Sequence, residues 1–449
     1  MKNKSSKKFR STLAGSFKTR ANGWLRVHVH GDPEQVGFQH GYHLAPELDK
    51  TITLARNYAR TNCNRDWKFF RKSAVKMYEH CVPNEYLEEI SGITKGARAR
   101  GIRKIDETDV LALNGLFDTL FYHNWLRYQE KGTISPVKGA GHCSAFIATG
   151  AATRDGGLVL AHNMWLGYDL AAWNVILSIS PEKGHDIMMQ TLPGSIQVCG
   201  VDVYVNSAGM MVTNTTLSGL KTFNPKGTPY FARARKAIQY ANSIDDWLSI
   251  ITKRNNGGDA SGWLVGDSKT NEACYLELGT FSHAAQRTKD GFFVGCNMAY
   301  DPKVQSETWV DYSDASSSSA TRYSRWGQLM ETRSGTIDVE AAKKFLADHY
   351  DTFFKVDKPT RGTICGHVEL DPRGWPEWNC GPYYPGGTTD GIVTNSKLTK
   401  RGELWAHWGK PCGTDFIAQK FFEAHPEYSQ LAPNTYDLIS HPWTLFSLQ

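Results

Sequence analysis

Cys143 opens a short apolar run, GHCSAFIATG (141–150), directly after a polar, glycine-rich stretch. Thiols react as thiolates, and a free thiol with a pKa near ~8.5 is mostly protonated at neutral pH. A cut between His142 and Cys143 would supply the missing base. The freed α-amine, with a pKa of roughly 7.7–8, takes the thiol proton across one residue or through one water. Nucleophile and base then arise in one event, with no histidine partner. A buried, unreactive cysteine satisfies the same spacing, because cysteine also packs as a small hydrophobe. A second grouping is RVHVHGDPEQVGFQHGYH, where His28 and His30 would share a strand face and His40 and His43 are three apart. Histidines so spaced suit metal ligation, but no cysteine pair, HExxH or carboxylate pattern supports it. None of the nine cysteines lies in a CxxC, so a zinc ribbon is not expected, and the sequence assigns neither a metal site nor a cofactor.

The elements that would position Cys143 follow from periodicity. Residues 129–142, QEKGTISPVKGAGH, lack apolar periodicity and read as an exposed linker. Cys143 then starts a strand, CSAFIAT, which turns at RDGG into LVLAHNMW as a hairpin. NVILSIS and DIMMQTL are further strands, VDVYVNSAGMMVTNTTL is two strands around Ser207–Gly209, and GWLVGDSKTNEACYLEL turns near Lys269–Asn271. Helices are expected at PYFARARKAIQYA, at SIDDWLSIIT (Ser243 as cap, Asp246 three later), and at SATRYSRWGQLMET and DVEAAKKFLADHY. Upstream, WLRVHVHGD is a strand, and Gly41 to about Tyr128 is mostly helical. Asn84 is placed as the cap of Leu87–Ile90–Ile93–Ala97, and Asp106 as the cap of Val110–Leu113–Leu116–Phe117–Leu120. Consecutive hairpins with segregated helices imply an α+β fold with antiparallel sheets.

With 449 residues, the chain suits two or three domains, or one large enzyme domain with a helical attachment. Its 40% hydrophobic and 21% charged residues are a globular composition. The first 20 residues hold seven Lys/Arg and no acid, within a net charge of +6. That start reads as a transit peptide, a surface-binding tail or, most simply, a disordered leader. No apolar run of about 18 residues exists to span a membrane, and the charge is too diffuse to argue for nucleic acid. No compartment follows. The divisions implied are a leader, 1–23, a mostly helical segment, 24–142, and a β-rich body, 143–449.

The run GHCSAFIATGAATRDGGLVLAHNMW resembles the N-terminal-nucleophile (Ntn) hydrolases. It is similar to the phospholipase B-like proteins, the acyl-CoA:aminopenicillanate acyltransferases, and the bile-salt hydrolase and penicillin V acylase family. The likeness continues through DPEQVGFQHGYHLAPEL, VNSAGMMVTNTTL, GCNMAYDP, SSSATRYSRW, TRGTICGH and GGTTDGIVTNSKL, in the order those families place them. Each motif is weak alone; six in order are specific. The resemblance implies an αββα sandwich of two stacked antiparallel sheets between helical layers, with residues 24–142 as a pro-segment. It implies Cys143 as nucleophile, its freed amine as base, and self-cleavage at His142–Cys143. Asn206 matches the oxyanion-stabilising position, Asn297 the position that orients the amine, and Arg322 the arginine that supports the thiolate, with Arg325 one turn on. His162 stands where the bile-salt branch has arginine and Trp165 where it has aspartate. The HNMW tetrad, with Asn163 inside it, looks like the phospholipase B-like branch and marks a supporting or pocket region.

The reaction implied is acyl transfer through a thioester, from an amide or, alternatively, a lipid ester, to water or to an amine. A non-catalytic relative that keeps the fold for binding is the reading of a different class. The partners implied are a small acyl amide or lipid ester, with no nucleic acid and no membrane-spanning segment. The two fragments would stay associated, and a homo-oligomer is left open.

Overall fold

The computed structural model describes residues 11–131, 143–173, 175–197, 203–217 and 219–448. Two large sheets dominate. The first has nine strands in the order β1 (Phe17–Ala21), β2 (Trp24–Gly31), β5 (Val175–Pro181), β6 (Ile187–Thr191), β7 (Val203–Asn206), β8 (Met210–Thr216), β9 (Ser261–Asp267), β10 (Glu272–Leu278) and β11 (His283–Thr288). The second has six, in the order β12 (Gly291–Gly295), β3 (Cys143–Gly150), β4 (Gly156–Gly167), β15 (Gly386–Asn395), β16 (Glu403–Trp408) and β17 (Thr444–Ser447). A small ribbon joins β13 (Tyr350–Asp351) to β14 (Val356–Asp357). Strand pairings among the described residues are antiparallel except β2 with β5. The protein is therefore mixed α+β with antiparallel sheets, as the pattern of hairpins predicts.

Strand alternation divides each sheet's side chains between two environments. In β3, Ala145 and Ile147 join a cluster with Met188, Val205, Met211 and Leu264 of the nine-stranded sheet. The intervening Phe146 and Ala148 pack instead with Trp326, Leu329 and Phe345, which come from helices Ser318–Thr332 and Val339–Leu346. On the nine-stranded sheet, Leu177, Met189, Val212 and Val265 pack with apolar side chains of the N-terminal helices. A strand buried on both faces has no polar face, which is why CSAFIAT reads as a continuous apolar run.

The helical region is not a separate body. β2 pairs with β5 from Leu25↔Val175 to Gly31↔Pro181, so residues 24–31 share a sheet with residues downstream of Cys143. Helix Leu116–Lys131 is anchored through the Asp118 carboxylate, which accepts from Tyr230 N–H at 2.9 Å and from Asn256 Nδ2 at 2.5 Å. Helices Pro33–His43 and Asn84–Ala99 cross in backbone contact. A Cβ on Gly41 would lie 1.9 Å from the Ile93 carbonyl oxygen, and one on Gly96 2.1 Å from that of Phe38. No described helix is long and apolar enough to cross a membrane.

Several expectations change. Phe17–Ala21, inside the expected leader 1–23, is a strand paired with β2, because Phe17 and its neighbours complete the sheet edge; residues 1–10 lie outside those described. The expected linker begins as helix through Lys131, and residues 132–142, His142 included, lie outside the described residues. Asn84 is the first helical residue rather than the cap. Pro83 takes the cap position without a side-chain hydrogen bond. Asp106 caps its helix as expected, with Asp109 completing the box, but that helix ends at Asn114 and a new one starts at Leu116.

Candidate active site

Cys143 is the first residue of β3, opposite Met164 of β4, and is 2% exposed. Its sulfur lies 4.0 Å from the Met164 sulfur. Its backbone is gripped from two sides. The Cys143 N–H donates to Asn297 Oδ1 at 3.2 Å, and the Cys143 carbonyl accepts from the Arg322 guanidinium. Arg322 also donates to Asn297 Oδ1 at 3.1 Å, closing a triangle among the three residues.

Local sequence explains each corner. β12 pairs with β3 as far as Gly295↔Ala145, which delivers the chain just beyond it to Cys143. Asn297 then turns with φ +64°, a left-handed conformation that asparagine tolerates better than most residues. Its Nδ2 donates to the Thr216 carbonyl at the end of β8, 2.9 Å away, so one amide ties both sheets to Cys143. Arg322 sits in the first turns of helix Ser318–Thr332, which Ser317 caps by accepting from Ala320 N–H. Its Nε donates to the carbonyl and hydroxyl of Ser318, both at 3.1 Å. The Trp165 ring supports the guanidinium at 4.6 Å. Trp165 is held by Val368 and Trp375 and by the bare Cα of Gly366, where a Cβ would come within 2.1 Å of the indole.

Arg322 is fully buried, and the hydrogen bonds just described all go to neutral oxygens. Burial lowers its pKa, and the sulfurs of Cys296 and Cys143 oppose that shift. A buried cation stabilised by nearby sulfur favours a thiolate at Cys143 by the same interaction. The adjacent Cys296 thiol is pushed up to about 12 by burial, so it stays protonated.

The remaining expected residues separate from this group. Arg325 is not an alternative to Arg322, because it forms a two-pronged ion pair with Asp348 at 2.8 and 2.6 Å. The hydrogen bonds of the Asn206 side chain go elsewhere than to Cys143. Its Nδ2 donates to the carbonyls of Ile238 and Ala241, and its Oδ1 accepts from the N–H of Ala208 and Met210. Oδ1 thus braces its own turn while Nδ2 ties that turn to the end of helix Tyr230–Tyr240, so all four hydrogen-bonding positions are taken by backbone groups. His162 lies opposite Ala145 and Ile392, with the Asn214 backbone as a polar neighbour; burial lowers its pKa to about 3 and keeps it neutral. Asn163 points to the other face and donates to Leu346 O at 2.7 Å and Ile364 O at 3.2 Å.

Three of the four histidines of 28–43 hydrogen-bond to neighbouring chain segments. His40 Nε2 accepts from Gly194 N–H at 2.8 Å, His43 bonds Ser16 Oγ at 2.9 Å, and His30 bonds the Ala14 carbonyl at 2.7 Å. A cleft of about 620 Å³ beside Asp32, Glu85, Lys183 and Arg235 contains none of the cysteine group.

Two features escaped the sequence reading. Asp390 faces Gln190 across the two sheets, 3.0 Å from its Nε2, and burial pushes its carboxyl up to about 7. Separately, ligating atoms of His349, Cys365, His367 and Cys412 all lie within 4.8 Å of one another. The two-residue spacing of Cys365 and His367 in TRGTICGH was the visible signal; the partners are 16 residues upstream of Cys365 and 45 downstream of His367.

A family model described as Phospholipase B matches residues 48–414. Among curated proteins, an uncharacterised protein of Archaeoglobus fulgidus is 26% identical over 72% of this chain and 58% of its own length. Phospholipase B-like 1 from Bos taurus is 21% identical over 83% of this chain and 74% of that protein, and its Homo sapiens counterpart 22% over 63% and 56%. The chain thus spans little more than half of two of these relatives and about three quarters of the third. Among solved structures, a mutant conjugated bile acid hydrolase from Clostridium perfringens matches with a TM-score of 0.33 at 10% identity, over 59% of this chain and 88% of that one.

Proposed function

The chain belongs to the phospholipase B family, and on that premise we propose that it is a self-processing cysteine hydrolase of the N-terminal-nucleophile type. The observation that carries this reading is the grip of Asn297 and Arg322 on the backbone N–H and carbonyl of Cys143 rather than on its side chain alone. A cysteine served by a separate histidine needs its sulfur oriented. A cysteine whose own α-nitrogen is the base needs its backbone oriented.

Maturation would start with Cys143 Sγ attacking the His142 carbonyl carbon, moving that acyl group from nitrogen to sulfur. Water then hydrolyses the thioester, leaving a carboxylate on His142 and a free amine on Cys143. Asn297 Oδ1 accepts one amine proton and thereby aims the nitrogen lone pair. The amine takes the thiol proton, the thiolate attacks the substrate carbonyl, and the ammonium returns the proton to the leaving group. Water, activated by the same amine, releases the acyl group; an amine in its place would give an acyltransferase. Arg322 stabilises the thiolate, and Trp165 keeps Arg322 in place. Asn206 has no part in this scheme.

Two further observations support the reading. Helices pack on the outer sides of two sheets that meet through Ala145, Ile147, Met188 and Leu264, which suits an αββα sandwich. The β2–β5 pairing and the Asp118 bonds would hold residues before the cut to those after it, so the fragments would stay together. The family's name makes carboxylic esters of lipids the first substrates to test, with N-acyl amides second.

The test is N-terminal sequencing and intact mass of the purified protein, followed by both substrate classes. A large fragment starting at Cys143, absent from Cys143→Ala, is the expected result. A single uncut species that turns over neither class would sink the proposal and leave a binding role.

A further inference from the structure

We propose that His349, Cys365, His367 and Cys412 form a structural zinc site, closed by four protein ligands. Nothing in the reaction above uses these residues. Three separate stretches of chain bring them together: the segment after helix Val339–Leu346, the loop 360–367, and the loop after β16. His367 Nε2 lies 3.7 Å from the Cys365 sulfur and 3.5 Å from the Cys412 sulfur. Around a tetrahedral zinc with ordinary Zn–S and Zn–N bonds, ligand atoms stand about 3.3–3.8 Å apart. The four ligand atoms, all within 4.8 Å of one another, therefore need only small side-chain movements to close on an ion.

Three surrounding details fit a metal better than an ordinary polar cluster. His367 Nδ1 is 3.0 Å from the Glu369 carboxylate, and donation there leaves the Nε2 lone pair facing the two sulfurs. A carboxylate behind a ligating histidine is the arrangement that fixes its tautomer and raises its basicity. Glu369 is itself held by Lys410 and by the Tyr168 hydroxyl at 2.8 Å. His349 Nε2 is shut off from solvent with no hydrogen bond of ordinary geometry, while its ring meets the His367 ring edge-on at 5.0 Å. Two thiolates with two imidazoles are a borderline-soft set that selects zinc over hard cations. With no open position, the ion would hold structure rather than bind substrate.

The consequence reaches the cysteine group by contact. Gly366, between two of the ligands, is the backbone on which Trp165 rests, and Trp165 lies against Arg322. A zinc knot would fix the floor under the guanidinium.

The test reads metal rather than activity, so it stands apart from the proposal for Cys143. Full-length protein, purified without chelators and dialysed, should carry about one zinc per chain by mass-spectrometric metal analysis. Reduced, metal-stripped protein should take up cobalt(II) with the intense visible absorption of a tetrahedral thiolate complex. Cys365→Ser combined with Cys412→Ser should abolish both signals. Glu369→Gln should weaken zinc binding by about 10- to 100-fold while retaining one site. Metal-free protein that binds neither zinc nor cobalt after reduction would overturn the proposal, as would a Cys365–Cys412 disulfide in unreduced peptides. The cobalt spectrum of the unmutated chain decides the matter even if the cysteine variant misfolds.

Discussion

Asn297 Oδ1 accepts from the Cys143 N–H and from Arg322 at nearly equal distances, 3.2 and 3.1 Å. One oxygen therefore sets both the nitrogen that would become the base and the cation beside the proposed nucleophile. Asn297→Gly removes the amide while keeping the left-handed backbone free of strain. It should slow self-cleavage and turnover on the order of 10²-fold, the usual effect of a small misplacement of a reacting group. Cleavage followed by intact mass over time checks this. Processing at the unmutated rate would remove Asn297 from the mechanism.

Arg322 is expected to act through charge and geometry together. Arg322→Lys keeps the charge but cannot reach the Cys143 carbonyl, Asn297 and Ser318 at once. Arg322→Gln loses the charge as well. The rate of Cys143 alkylation against pH should shift to higher pH in Gln more than in Lys, because the thiolate loses its stabilising cation. Identical profiles for both variants and the parent would show that Arg322 only supports the fold.

The candidate site was legible where residue type and local element coincide. Cys143 heads a hairpin that periodicity alone predicts, and Arg322 lies on a helix with a serine cap. Asn206 shows the limit of that logic: a hairpin asparagine of the right type is present, but its amide is engaged by its own turn and by the backbone at the end of a helix, at Ile238 and Ala241. The parallel β2–β5 pairing was not legible, because pairing across roughly 150 residues leaves no local signature. β15, GGTTDGIVTN, stood out only as a motif, since a strand buried on both faces and rich in glycine has no alternation. The four-residue sulfur–histidine cluster escaped because its ligands come from three loops rather than from one short spacing.

The crossing of helices Pro33–His43 and Asn84–Ala99 depends on glycine at its contact points. Gly41→Ala would drive a methyl into the Ile93 carbonyl, and backbone on both sides leaves nothing flexible to yield. The loss should be about 1–3 kcal/mol, as for overpacking elsewhere, read as a lower denaturant midpoint. Gly101→Ala is a control of the opposite kind. A Cβ there meets nothing within 4 Å, so any cost comes from its φ of +94° alone. A Gly41→Ala protein as stable as its parent would show that the helices cross less closely.

Asp390 gives a pH dependence of defined sign. Its partners include the neutral Gln190 Nε2 and Thr389 hydroxyl, and burial raises its pKa to about 7, against roughly 3.9 in an unfolded chain. Between those values the folded state holds a proton that the unfolded state has released. The contribution to stability is complete below about pH 4 and is lost as pH rises through 7, by up to about 4 kcal/mol. Asp390→Asn keeps an acceptor for Gln190 and cannot ionise. The variant should match the parent in acid and exceed it above pH 7, with the gap opening between pH 4 and 7. Chemical denaturation across that range makes the comparison. Parallel stability curves would mean that Asp390 is already ionised in the folded protein at mildly acidic pH, and that burial does not hold its proton.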